Sequence, residues 1–131
     1  MNYKSDLISI VMTTHNCEKI IEPTINSIIS QSYQNWELII VDDASRDKTV
    51  EKLNQILEGN IKQPFYTLIN TENKNVSYSR NRGIKRSKGR FLSFIDHDDI
   101  WLKHKLEKQI SFHQINKVFL THTYYRHYNE F

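Results

Sequence analysis

FLSFIDHDDIW, residues 91–101, is the stretch from which the fold can be read. Phe91, Leu92, Ser93, Phe94 and Ile95 form a short, mostly apolar run, and Asp96, His97, Asp98 and Asp99 end it abruptly. A run this short, bounded by polar residues, predicts a strand buried on both faces. Carboxylates gathered at one strand end repel one another unless a cation or a donor-rich ligand lies among them. Asp96 and Asp98 form a D-x-D, and residues i and i+2 of an extended chain point the same way. Hard oxygen ligands on one side of a strand end suit Mg²⁺ or Mn²⁺ shared with the phosphates of a ligand. D-x-D alone is a weak signal, because the same acids would serve equally to cap a following helix, with Asp99 at its N-terminus.

Outward from this stretch the same design recurs. Residues 7–12, LISIVM, are a buried-strand pattern followed by Thr13, Thr14, His15 and Asn16. Residues 37–41, ELIIV, run straight into Asp42, Asp43, Ala44 and Ser45. Between them Ile21, Ile25, Ile28 and Ile29 have helical spacing. Pro23 fits only near the start of that helix, and Gln34-Asn35 reads as a turn. Val50, Leu53 and Leu57 share the face of a second helix, capped by Ser45 or Asp47 and stopped by Gly59-Asn60. Residues 64–69 predict a less regular third strand with Pro64 at its permitted first position. Residues 76–87 predict a helix ended by Gly89, and its interior Gly83 points to close packing. Leu102, Leu106, Ile110 and His113 mark the face of a last helix. Residues 118–123 predict a fifth strand, and the Tyr-rich tail to Phe131 shows no pattern. This alternation gives an α/β fold: a mostly parallel sheet with helices on both faces. Ligands of such sheets bind beyond the carboxyl ends of the strands. The three polar clusters all sit there, which favours one shared site over chance.

The totals exclude several classes. At 131 residues the chain has room for a single domain. With 38% hydrophobic and 25% charged residues it is globular rather than disordered. A net charge of +3 gives no ground for a nucleic-acid partner. Cys17 is the sole cysteine, so no disulfide framework exists, and a small core filler explains it better than a reactive thiol. No apolar stretch approaches the roughly 18 residues of a membrane span, and the first residues are not a signal peptide. A cytoplasmic address is the expectation.

The order ISIVMTTHN, then WELIIVDDASRDKT, then NVSYSRNRGIKRSKGRFLSFIDHDDIW closely resembles the family 2 glycosyltransferases. The likeness runs from Leu7 to about Lys108, and several ordered motifs make it specific. It implies a Rossmann-like, nucleotide-diphospho-sugar transferase fold. It also implies transfer of a sugar from a nucleoside diphosphate donor to a saccharide or lipid-linked acceptor, with inversion at the anomeric carbon. By the resemblance, Thr13, Thr14, His15 and Asn16 line the nucleoside pocket, with His15 where an aromatic is often found. Asp42 and Asp43 match the acidic pair after the second strand, and Asp43 looks like the residue that reads the base. A carboxylate accepts the imide N–H of uracil, which favours a UDP-linked donor. Arg80 and His97 fall in the donor site, and Asp96 and Asp98 match the metal-binding D-x-D, with Asp98 the stronger candidate ligand for Mg²⁺ or Mn²⁺.

Two departures stand out. Asn75 occupies a position where the family often has glycine, a mild change because Asn tolerates left-handed backbone. The second is that no residue here matches the general base, which in the family follows the D-x-D half. Residues 1–131 are therefore read as one partial domain, the donor-binding half of a truncated chain. The uncovered apolar surface is expected to promote self-association. A place at the inner face of the membrane, with peripheral contact, is also an expectation.

The remaining candidates have plainer readings. Arg80, Arg82, Lys85, Arg86, Lys88 and Arg90 form a basic run that suits phosphate or anionic lipid, but also the solvated face of a helix. His104, His113, His122 and His127 show no metal spacing. Trp36 and Trp101 most simply close the core, although Trp101 at the rim of a sugar pocket is an alternative. Two rival functions fit parts of the sequence. A receiver domain also contains LIIVDD, but carries that pair after its first strand. A non-catalytic nucleotide-binding remnant or partner subunit is the other.

Overall fold

Strands form where the apolar runs stand. The computed structural model describes residues 6–127. β1 (Ile8–Thr14) and β2 (Trp36–Asp42) are buried along their whole length, as continuous apolar runs require. β3 (Phe65–Ile69) and β4 (Phe91–Asp96) lie outside them, and the sheet order is β3-β2-β1-β4 with every pairing parallel. The connecting helices are α1 (Ile21–Ile29), α2 (Thr49–Leu57) and α3 (Val76–Arg86), and α4 (Lys105–Asn116) follows β4.

Period-two alternation divides the core. Ile8, Ile10 and Met12 of β1 and Leu38 and Ile40 of β2 join one apolar cluster with Ile21, Ile25 and Ile28 of α1. Leu53 and Leu57 of α2 and Leu106 and Ile110 of α4 complete it. On the other face Val11, Ile39 and Val41 form a second cluster with Tyr66 and Leu68. α3 covers this second face, and Gly83 is the point of contact. A Cβ built there would stand 2.5 Å from Val11 Cγ1 and 3.4 Å from Val41 Cγ2. The close packing expected of Gly83 is thus present.

A buried polar peg fixes where β4 begins. Ser9 Oγ donates to Glu37 Oε1 (2.6 Å), Lys88 N donates to the same oxygen (2.7 Å), and Gly89 N donates to Ser9 Oγ (2.8 Å). The loop after α3 is thereby tied to β1 and β2 just before β4 enters its ladder.

Several expectations are corrected. β4 is not buried on both faces: Leu92 and Phe94 are 44% and 45% exposed, because α3 lies over β1 and β2 and leaves this face of β4 open. β4 also ends at Asp96 rather than Asp99. Asp99 caps no helix; its N–H donates to Asp96 O in a turn (3.1 Å), and α4 begins only at Lys105. Leu102 precedes α4 and is exposed instead of sharing its buried face. Residues 118–123 pair with no strand among the described residues. They fold back on α4, where His113 Nδ1 donates to Val118 O (2.7 Å) and Gln109 Nε2 donates to Thr121 Oγ1 (3.1 Å). The left-handed Lys117 (φ 51°) makes that reversal. At α2, Asp47 accepts the N–H of Thr49 (3.0 Å), while Ser45 turns to Asp42 and leaves the helix uncapped by its side chain. The tail to Phe131 lies partly outside the described residues.

Gly83→Ala should destabilise the fold by about 1–2 kcal/mol, since the clash with Val11 outweighs the better helix propensity of Ala. In a Val11→Ala background the same change should become neutral or stabilising, because the obstructing methyl is gone. Urea denaturation of the four proteins of this cycle checks the sign reversal.

Candidate functional site

Three neighbouring strands end level with one another. Thr13 of β1 lies opposite Val41 of β2 and Asp96 of β4, and Thr14 lies opposite Asp42. This register delivers the polar clusters to one edge of the sheet. A cleft of about 340 Å³ opens there. Its walls are Thr13, Thr14 and His15 after β1, Asp43 after β2, Val76 and Arg80 of α3, and Asp96, His97 and Asp98 at the end of β4. A second hollow, about 230 Å³, lies between β3 and α3; its lining includes Asn70, Lys74 and Arg82 but no carboxylate.

The adjacent acids Asp42 and Asp43 have different surroundings. Asp42 is fully buried, accepts from Thr14 Oγ1 (2.9 Å), Ser45 N (2.8 Å) and Ser45 Oγ (2.6 Å), and does not line the cleft. It holds the loop after β2 in place. Asp43 does line the cleft. Its Oδ1 accepts from Asn70 Nδ2 (2.6 Å) and Lys74 N (2.9 Å), and its Oδ2 from Asn75 N (2.9 Å). Burial pushes its carboxyl up, but the Lys74 N–H, the Asn70 amide, the Asn75 N–H and the Ser79 hydroxyl outweigh this and hold its pKa below the ordinary 3.8. Asp43 is therefore ionised at neutral pH.

Asn75 stands at φ 82°, a positive value that Asn tolerates better than most side chains. Its side chain caps α3 by accepting from Tyr78 N (3.1 Å). One residue thus gives Asp43 a backbone donor and starts the helix that carries Arg80.

His15 Nδ1 lies 2.8 Å from Asp43 O. A carbonyl only accepts, so Nδ1 carries the proton, and Nε2 accepts from Asn16 Nδ2 (3.1 Å). Asn16 itself stands outside the cleft lining. Its N–H donates to Ser45 Oγ (2.9 Å) and its Oδ1 accepts from Arg46 N (2.8 Å), which clasps the loops after β1 and β2 together.

Arg80 Nη2 is 2.6 Å from Asp96 Oδ1, and both side chains are partly exposed. The carbonyl of His97 accepts from Thr24 Oγ1 (2.8 Å), which anchors the turn. Asp98 is exposed and makes no hydrogen bond or ion pair among the described residues. Among these residues no group of three or more His, Cys, Asp or Glu is placed to hold a metal by itself. Asp96 and Asp98 provide hard oxygens only, which fits Mg²⁺ or Mn²⁺ completed by phosphate oxygens.

Of the residues singled out from sequence, the cleft gathers Thr13, Thr14, His15, Asp43, Arg80, Asp96, His97 and Asp98, and omits Asn16 and Asp42. Val76, Asn70 and Ser79 were not foreseen. Asn70 had a signal, since it is the polar residue at the carboxyl end of β3.

A parallel sheet with acidic strand ends around a common cleft defines a Rossmann-like, ligand-binding type of fold. The glycosyl transferase family 2 model matches residues 9–131, and the chain belongs to that family. It is 40% identical over 112 residues to UDP-Glc:alpha-D-GlcNAc-diphosphoundecaprenol beta-1,3-glucosyltransferase WfgD of Escherichia coli, covering 86% of this chain and 43% of that protein. It is 39% identical over 106 residues to the putative teichuronic acid biosynthesis glycosyltransferase TuaG of Bacillus subtilis, covering 81% and 41%. The chain thus spans less than half the length of both curated relatives. Among solved structures, S. aureus TarS 1-349 in complex with UDP-GlcNAc superposes with a TM-score of 0.77 at 26% identity, covering 84% of this chain and 32% of that one. Family membership removes the receiver reading. No helix among the described residues is long and apolar enough to cross a membrane.

Asp43→Asn should lower stability by about 2 kcal/mol at neutral pH, because an amide would face donors that need acceptors. The folded-state pKa is lowered, so the carboxylate contribution is fully present above 3.8 and is lost as the pH falls through the folded value. Denaturant melts of both proteins from pH 7 downward should show the gap narrowing below that point.

Proposed function

We propose that this chain is the donor-binding part of an enzyme that moves a sugar from a UDP-sugar to a saccharide or lipid-linked acceptor, with inversion. The observation that carries this reading is the shared cleft of Asp43 and Asp98. One end of it suits a base and the other a diphosphate.

Asp43 only accepts, and Asn70, Lys74, Asn75 and the Ser79 hydroxyl already surround it with donors. A base with a single imide N–H, such as uracil, suits it better than guanine, which would bring two donors, or cytosine, which would bring an acceptor. The His15 ring, fixed by Asp43 O, offers a flat surface on which a base can stack.

At the other end, Asp98 and Asp96 would hold Mg²⁺ or Mn²⁺, which supplies positive charge to the two phosphates of the departing nucleoside diphosphate. Arg80 keeps a second cation beside Asp96. No residue of this chain is assigned the general base. A lipid-linked acceptor is supported by the name of the E. coli relative. Such an acceptor would bring the enzyme to the inner face of the membrane.

Calorimetry with UDP tests the reading. In Mn²⁺ or Mg²⁺, UDP at about 100 times its Kd should add about 2.7 kcal/mol of stability, a rise of several degrees in Tm. In chelator the rise should vanish. Asp98→Asn should lose the metal-dependent rise while keeping the Tm of the free protein. An equal rise in chelator would remove the metal from the account, and a rise with GDP but not UDP would remove the uridine assignment.

A further inference from the structure

Asn70 joins the cleft to the second hollow, the one between β3 and α3. It directly follows β3, and its backbone N–H donates to Asp42 O (2.8 Å). The residue is 5% exposed, and both ends of its amide are in use. Nδ2 donates to Asp43 Oδ1 (2.6 Å) and to Ser79 Oγ (2.8 Å). Oδ1 accepts from Arg82 Nη1 (2.7 Å). A carboxylate only accepts and a guanidinium only donates. The amide therefore has one satisfactory orientation. Turned over, it would set oxygen against carboxylate and NH₂ against guanidinium.

Arg82 lines the second hollow and not the cleft. It is partly buried, and Nη1 also donates to Ile69 O (2.8 Å). Both acceptors are neutral oxygens. The basic run has no common target: Arg80 meets Asp96, and Arg86 lies 3.6 Å over the Tyr66 ring. Arg82 is the member whose contacts lead back to Asp43. A cation bonded to an amide oxygen polarises the amide and strengthens the bonds its N–H groups give. Ser79, whose oxygen accepts from Asn70, keeps its hydroxyl hydrogen for Asp43. Two donors of Asp43 thus depend on one amide.

We propose that Arg82 is a positioning residue for the base-reading end of the cleft, holding the Asn70 amide with its N–H side toward Asp43 and so keeping that carboxylate aimed at a uracil imide. Only the last step, the uracil, rests on the UDP-sugar reading. Arg82 acts through Asn70 and stands outside the cleft itself.

The test combines calorimetry in Mn²⁺, with UDP and inorganic diphosphate as separate probes, and a carbon-13 NMR titration of the Asp43 carboxyl in the free protein. Arg82→Met keeps most of the stem and removes the donors. It should weaken UDP about tenfold. Inorganic diphosphate should bind as before, because it engages only the metal end. The Asp43 carboxyl should titrate closer to the ordinary 3.8, since donors that favour its charged form are loosened. Arg82→Lys should restore both readouts, because one nitrogen, Nη1, makes both bonds and an ammonium can replace it. In an Asn70→Ala background Arg82→Met should add nothing further. Unchanged UDP affinity and Asp43 titration in Arg82→Met would overturn the proposal. So would an equal loss of diphosphate binding, which would make Arg82 a general source of positive charge, or full additivity with Asn70→Ala. If the unaltered chain binds no UDP while Arg82→Met still moves the Asp43 titration, the uridine reading falls and the positioning of Asp43 stands.

Discussion

The parallel ladder on either side of β1 is the constraint on which the site depends. Thr13 is opposite Val41 on one side and Asp96 on the other, so three strands finish together. Parallel register is enforced by burial, since a slip of one residue would turn Ile10 and Met12 away from α1 and α2. The energy that aligns the carboxylates therefore comes from apolar packing beneath the cleft. The acids themselves gain nothing from being near one another.

Neighbouring acids then divide the labour by side-chain direction. Asp42 continues the face of Leu38 and Ile40, where it meets Thr14 and is sealed from solvent. Asp43 falls on the opposite side, where the loop before α3 meets it with backbone N–H groups. Those donors keep a buried carboxylate ionised by hydrogen bonds alone. Family 2 membership gives this arrangement a purpose that the geometry alone would leave open.

Most of the architecture was legible because continuous apolar runs and helical spacing are local signals. The shared cleft was legible too, since polar residues at the carboxyl ends of parallel strands converge whatever the loops between them do. What escaped was set by distant partners. The apolar run at Leu92 and Phe94 looks as buried as that at Ile39 and Val41, but only the latter pair has α3 above it. Residues 118–123 have β-forming composition, yet they pair with no strand among the described residues and lie on α4. The side chain of Asn16 serves Arg46 N, thirty residues away, a partner that no local pattern names. The inward direction of Asp42 was legible in sequence, from the alternation through Leu38 and Ile40.

The seat of Gly83 on Val11 has a consequence for how such a pocket can be retuned. With backbone resting on a valine methyl, α3 cannot rock or shift sideways without overlap, so the base of Arg80, less than one turn earlier, is a fixed post. Asp43 is just as firmly moored by the loop that starts that helix. Variation in what the cleft accepts is then left to the side chains of the solvent-facing turn at His97, Asp98 and Asp99, whose backbone Thr24 anchors.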